Sequence, residues 1–475
     1  MKIIENNIKP DEKIIEDLKV SLNEDNYTKA EKIALNLISK FPNYQWGWKI
    51  LGEILKVNGK QNEALVAYKK ALEINNLDYE AHYNLGVIQL EQKKFKNAEV
   101  SFLNCISIKN DFAEAYYNLA NSQVKLGKHS LAKNNFKISI EINPNLTSSH
   151  FNLGNLQLKI GDLEKAKISF ENSINLKKDF VEAYNNLGKT LQELGNLSEA
   201  IYNFKKAINY NPSYLISYWN LFGTASSISE AEMWINCTLK INPSFKEGMI
   251  IKAALNYYQN DKELFKDLMK SKLVNHPFMR SINWIFNLPY LPKFYFNRWN
   301  FFDALVKQSI KKRPFYEFGV WKGVSFKYLK KFYKTGYGFD TFTGLPEDWN
   351  LGKKTEKKNS YSSYGKIPNI KGGKFVDGEF EKSLPKFFSK KRPVASLINF
   401  DADLYNSTLC ALIHCKSIID NETLLIFDEF IMNENWENDE FKALSEFCKT
   451  YKFKYQVIAA CLFSQQVAVK LEKHK

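Results

Sequence analysis

The chain has 475 residues, enough for two to four domains of about 150 residues, each able to bury its own core. With 44% hydrophobic and 25% charged residues it falls in the range of soluble globular chains, which excludes wholesale disorder. The formal net charge is +15, yet only four of the 67 basic residues are arginines (Arg280, Arg298, Arg313 and Arg392), leaving 63 lysines. Readers of phosphates and base edges lean on the planar, bidentate guanidinium, so a nucleic-acid role is excluded and a weak preference for acidic partners remains.

Six scattered cysteines (Cys105, Cys237, Cys410, Cys415, Cys448 and Cys461) form no C-x-x-C pair and no zinc spacing, as expected in a reducing compartment. Charge and amide groups interrupt the stretch Met1–Asn7 before a signal-peptide core could form. No uncharged apolar run approaches the ~20 residues of a membrane span. The expected location is cytoplasmic.

A short N-terminal tail, residues 1–10, precedes an internal repeat. Ala64, Ala98, Ala132, Ala166 and Ala200 stand 34 residues apart, and each is followed four places later by an aromatic: Tyr68, Phe102, Phe136, Phe170 and Phe204. Upstream, at the same period, come Leu51-Gly52, Leu85-Gly86, Leu119-Ala120, Leu153-Gly154 and Leu187-Gly188. A small residue lets two helices approach closely, and the i, i+4 step puts alanine and aromatic on one helix face, so each unit predicts a helix–turn–helix. The pattern resembles the tetratricopeptide (TPR) repeat. About seven units, over 11–246, begin near Asp11, Gln45, Tyr79, Ala113, Thr147, Val181 and Leu215, and the last is shortened.

Asn84, Asn118, Asn152, Asn186 and Asn220 share one place in the register. In a TPR superhelix that place resembles the asparagine ladder lining the concave face. There a carboxamide, with one acceptor and two donors, clamps the backbone of a protein or peptide partner; bonding within the array is the alternative. On the ladder reading, replacing Asn118, Asn152 and Asn186 by alanine weakens partner binding with little loss of thermal stability.

Residues 247–300 read as a helical and aromatic connector. An amphipathic helix over Asp261–Leu273 is followed by an aromatic stretch from Trp284 to Pro292, whose close prolines discourage further helix. From Phe301 on, β-type runs alternate with helical ones, the pattern of a parallel α/β sheet. Strands are expected at Phe315–Gly319, Gly336–Asp340, Val394–Asp401 and Thr423–Asp428, a third in sequence at Val376–Phe380, and a last at Gln465–Leu471. Acids recur at the strand ends: Asp340, Asp401, Asp403, Asp428 and Glu429. In such sheets a ligand lies across the carboxyl ends of the strands. The glycines form G-x-x-x-G (Gly319, Gly323), with no Walker lysine, which disfavours a dinucleotide fold and a P-loop. Leu351–Gly373 is polar and lysine-rich and reads as a mobile loop, either a lid over an acceptor or a solvated insertion.

Glu317-x-Gly319-Val320-x-x-Gly323-x-Ser325 looks like motif I of class I S-adenosylmethionine-dependent methyltransferases. Together with Phe339-Asp340-Thr341-Phe342, Asp401-x-Asp403-Leu404-Tyr405 and Phe427-Asp428-Glu429, it resembles the macrocin O-methyltransferase (TylF-like) family, which methylates sugar hydroxyls with Mg2+. The resemblance implies a Rossmann-like domain over 301–475, with a seven-stranded, mostly parallel sheet flanked by helices and an antiparallel last strand. It also implies roles. Backbone at Gly319, Val320 and Gly323 faces the methionine part of the cofactor and Ser325 its carboxylate; Glu317 supports that loop, and Asp340 takes the ribose. Asp401, Asp428 and Glu429 match the positions that hold Mg2+.

Some related enzymes carry a lysine base where this chain has Leu404, and the domain's only histidines are His414 and His474. Asp403 is therefore the candidate catalytic base, beside Asp401. The expectation is a TPR α-superhelix fused to an O-methyltransferase acting on a sugar or glycan hydroxyl, its repeats recruiting a protein partner or substrate carrier. Two alternatives stay open: a protein methyltransferase whose TPR groove holds the target peptide, and an interaction scaffold with a non-catalytic methyltransferase-like domain.

Overall fold

The structure, a computed structural model, describes residues 10–352 and 354–473. The Met1–Asn7 stretch, His474 and, within the polar loop, Lys353 lie outside the described residues. Two compact units are present. One runs to Lys159 and takes in Ile168–Lys178; the other holds Ile160–Lys167 and the chain from Asp179 on.

The repeats are antiparallel helix pairs. First helices start at Glu12, Gln45, Tyr79, Ala113, Thr147, Val181 and Leu215, each within one residue of its expected place. The last of these, Leu215–Phe222, has 8 residues where the one before it, Val181–Glu193, has 13. The packing explains the motif. A Cβ added to Gly52, Gly86, Gly154 or Gly188 would lie 2.9, 2.7, 2.8 or 2.6 Å from the ring of Tyr68, Phe102, Phe170 or Phe204, the aromatic of the same repeat. The small residue is a seat for that ring, which is fully buried in each case.

Helices Lys246–Tyr258, Glu263–Met269 and Pro277–Phe286 follow. The last reaches into the aromatic stretch that its prolines were expected to keep extended; the prolines act only beyond Phe286.

Among the described residues ten strands follow: β1 Lys293–Tyr295, β2 Phe315–Phe318, β3 Gly336–Asp340, β4 Trp349–Asn350, β5 Thr355–Glu356, β6 Gly373–Asp377, β7 Leu397–Phe400, β8 Leu424–Phe427, β9 Phe453–Cys461 and β10 Gln466–Lys473. β4 and β5 form a small hairpin; the other eight make one mixed sheet in the order β1-β9-β10-β8-β7-β2-β3-β6. β10 is antiparallel to both neighbours and every other pairing is parallel. The sheet thus has eight strands where seven were expected, because β1, from the aromatic connector, pairs with β9 at the edge. β6 begins three residues before the expected third strand.

Both sheet faces are covered, as parallel strands require. Tyr316, Phe318, Ile398 and Phe400 enter one core and Phe315, Leu397, Leu424 and Ile426 the other.

Candidate active site

Phe339, Phe318, Phe400 and Phe427 close the β3–β2, β2–β7 and β7–β8 ladders, where they are direct register partners across the four strands. Their rings stack in sequence, with centroids 4.8, 5.4 and 4.8 Å apart and interplanar angles of 17°, 15° and 9°. All four are fully buried. Cross-strand aromatic pairs of this kind hold register. The residue after each ring therefore lands in one row: Asp340, Gly319, Asp401 and Asp428. Strand order also reverses here, since β2, β3 and β6 build outward on one side and β7 and β8 on the other, all of them parallel. A ligand crevice forms outside such a switch point.

Gly319 has φ +90, and a Cβ on it would sit 1.7 Å from the Asp401 carbonyl oxygen, so the β2 and β7 ends meet only because the side chain is absent. Asp340 organises the turn that follows. Its Oδ2 accepts from the Val320 and Trp321 N–H groups at 2.7 Å each, and its Oδ1 from the Phe342 N–H at 2.6 Å. Gly323, φ +73, opens the helix Val324–Leu329 and lies under Pro368 and Ile370 of the polar loop.

Glu317 is wholly buried on β2. Ser325 Oγ donates to its Oε1 at 2.8 Å, while Oε2 has no partner. Ser325 is thus committed to Glu317 rather than presented to a cofactor carboxylate. Asn399, the β7 register partner of Glu317, is equally buried, and neither polar atom of its side chain finds a partner. Burial pushes the Glu317 carboxyl up to about 8, against the Ser325 bond.

On the other side of the switch point the acids crowd. Burial, then Asp428 and Asp403, hold the Asp401 carboxyl well above the carboxylate range. Burial, then Glu429 and Asp428, do the same at Asp403, whose backbone is left-handed at φ 61. Burial and Asp428 push Glu429 up to about 8. Asp428 itself is claimed by a residue the sequence reading passed over. Arg298 Nη2 lies 3.1 and 3.2 Å from its two oxygens, and Gln466 Nε2 donates to Oδ1 as well.

Among the described residues no three carboxylate, imidazole or thiol groups converge where they could hold a metal ion. With Asp428 bound to a guanidinium, the expected trio of Asp401, Asp428 and Glu429 does not fit Mg2+.

The polar loop is tied down rather than loose. Gly365 N–H donates to the Phe342 carbonyl, Leu345 N–H to Ser360, and Asn359 N–H back to Leu345, all at 2.9 Å. Tyr361 packs edge-on against Trp321, with centroids 5.6 Å apart. Beside it, a cleft of about 690 Å3 opens between Thr341, Leu345, Val376, Gly378 and Phe387 at the ends of β3 and β6.

Glu440 is wholly buried, accepts a 3.4 Å bond from Thr408 Oγ1, and its Oε2 has no partner. Burial, followed by Asp428 and Asp403, raises its carboxyl well above 4.5. The folded state therefore holds a proton that the unfolded chain releases above 4.5, so stability falls as pH rises through that window. Glu440→Gln is expected to raise the melting temperature more at pH 8 than at pH 5; an equal shift at both would contradict this.

In the repeats, the asparagines bond within the array. Asn118 Nδ2 donates to Tyr83 Oη, and Asn152 Nδ2 to Tyr117 Oη and Asn121 Oδ1. Asn220 Nδ2 donates to Asn185 Oδ1, and Asn186 Oδ1 accepts from Asn185. Asn84 is half-buried. The rungs at Asn118, Asn152 and Asn220 each reach one repeat back, so replacing them is expected to cost stability. Asn118→Ala with Asn152→Ala is expected to lower unfolding free energy by about 1–3 kcal/mol; an unchanged urea midpoint would contradict that.

Comparison with known proteins places TPR repeats in the N-terminal part. Tetratricopeptide repeat models match residues 79–112, 113–146 and 147–180, and another matches 181–214; a further TPR repeat model matches 52–93. No curated protein matches the chain. The solved structures similar to it include YrrB, described as a TPR protein with an unusual peptide-binding site, at 23% identity and a TM-score of 0.36; the match covers 39% of this chain and 95% of that one. MamA matches at 25% identity and a TM-score of 0.34, over 34% of this chain and 95% of its own. Pseudomonas aeruginosa pilF matches at 18% and 0.39, over 44% and 96%.

Proposed function

We propose that the C-terminal sheet domain is an S-adenosylmethionine-dependent O-methyltransferase acting on a sugar or glycan hydroxyl, and that the TPR half holds a protein or peptide partner or the carrier of the substrate. The observation that carries the first part is the row Asp340, Gly319, Asp401, Asp428, held in register at the point where strand order reverses. Repeats of the TPR type, an interaction architecture, support the second.

The residues present fit the cofactor. Glu317 Oε2, an unpartnered buried acceptor beneath the glycine turn, suits a ligand ammonium, and the unpartnered carboxamide of Asn399 beside it can serve either sign. Asp340 Oδ2 is filled by two N–H groups, and Oδ1, which accepts from the Phe342 N–H, is the oxygen a ribose hydroxyl would meet. The cleft at Val376 and Gly378 lies on the same edge. When bound, the cofactor supplies a methyl carbon activated by a sulfonium. What remains for the chain is to align an acceptor oxygen and take its proton. Asp403, held in strained backbone with its proton affinity raised, is the group for that proton.

The test supplies methyl-labelled S-adenosylmethionine with glycan, nucleotide-sugar and peptide fractions. Label in a sugar-containing fraction, reduced about 10²–10⁴-fold by Asp403→Asn, is the expected result. Label confined to peptide would redirect the reading to protein methylation. Cofactor binding without label in any fraction would leave an interaction scaffold.

A further inference from the structure

Three consecutive residues at the start of the helix Arg298–Gln308 are fixed to three different elements. Asn297 caps the helix through Asn300 N–H and donates from Nδ2 to the Ala225 carbonyl at 3.2 Å. Trp299 Nε1 donates to the Gln192 carbonyl at 2.6 Å. Between them, Arg298 reaches both ways: Nη1 stands 3.7 Å from Glu193 Oε2, and Nη2 bridges the two oxygens of Asp428. Neighbours on both sides thus set the direction of the guanidinium.

A divalent cation at Asp428 would need carboxylate oxygen at about 2.1 Å. On the face that Arg298 covers, such an ion would overlap a nitrogen that is only 3.1 Å from the same oxygens. Guanidinium keeps its charge throughout the physiological pH range, so unlike a metal it cannot be stripped or exchanged. Gln466 takes a further lone pair of Asp428.

We propose that Arg298 is the built-in cation of this site: it stands where the resemblance implies Mg2+, fixes Asp428, and closes Asp401, Asp428 and Glu429 to divalent metal. Arg298 is then a positioning residue. The inference deepens the proposed methyl transfer and rests on it for the reaction, but its test is independent of turnover.

The full-length protein is titrated with Mn2+ alone, and free ion is read by electron paramagnetic resonance. Wild type is expected to show no site tighter than about 1 mM. Arg298→Gln is expected to open one site at least tenfold tighter, lost again when Asp428→Asn is added. Arg298→Lys, which keeps the charge, is expected to stay closed. A wild-type Mn2+ site that Asp428→Asn removes would overturn the proposal. So would a cooperatively melting Arg298→Gln protein with no site. Should Arg298→Gln fail to fold, wild type and its Asp428→Asn variant decide alone. Titration of the same proteins with S-adenosylmethionine separates the two readings. A wild-type metal site that Asp428→Asn removes, alongside cofactor binding, sinks this inference and leaves methyl transfer standing; no metal site at Asp428 and no cofactor binding does the reverse.

Discussion

Gly319→Ala is expected to abolish S-adenosylmethionine binding and to lower stability by about 3 kcal/mol or more. Two costs add at one atom. The residue sits at φ +90, where an L side chain is strained, and its Cβ would stand 1.7 Å from the Asp401 carbonyl oxygen. That neighbour is backbone and cannot rotate away, so β2 and β7 must part and the row of acids loses its register. A control isolates the second cost. Gly127 has φ +74 with nothing within 4 Å of an added Cβ, and Gly127→Ala is expected to cost only about 1 kcal/mol. Thermal melts of both variants, with cofactor titration of each that folds, check this. Equal losses would contradict the close strand contact as the cause.

Phe400→Ala is expected to be the costlier of two substitutions in the aromatic ladder, at about 3–5 kcal/mol in denaturant unfolding. Phe400 lies between Phe318 and Phe427, so its removal breaks two ring contacts and leaves a cavity beneath Asp401. Phe400→Leu, which refills most of the volume, is expected to cost about 1–1.5 kcal/mol. If the ladder sets register as well as stability, Phe400→Leu also weakens cofactor binding while remaining folded. A leucine variant with wild-type affinity would reduce the ring to core filling.

The helical half was legible almost to the residue, because the feature that repeats in the sequence is also the contact that builds each unit. Glycine under aromatic is a short-range arrangement, so a period of 34 was enough to place it. The strand-end acids were legible for a related reason: hydrophobic runs ending in Asp or Gly mark where a strand leaves the core. What these acids touch was not. Asp340 and Ser325 bond to their own chain, Asp340 to the Val320, Trp321 and Phe342 N–H groups and Ser325 to Glu317.

Partners remote in the chain escaped altogether. Arg298 meets Asp428 across 130 residues and no local pattern marks it, although it is one of only four arginines. β1 is three residues in a proline-rich stretch and is made a strand by pairing with β9. β9 opens with alternating polar residues, Lys454 and Gln456, and went unread. The lysine-rich loop was read as mobile from composition, which is blind to the backbone bonds that pin it at Phe342 and Leu345.

Calorimetry of the full-length protein with S-adenosylmethionine tests whether the glycine turn and acid row form a cofactor site. One molecule is expected to bind per chain, unchanged by EDTA and lost in Gly319→Ala. No heat and no thermal shift in the wild-type protein would contradict it.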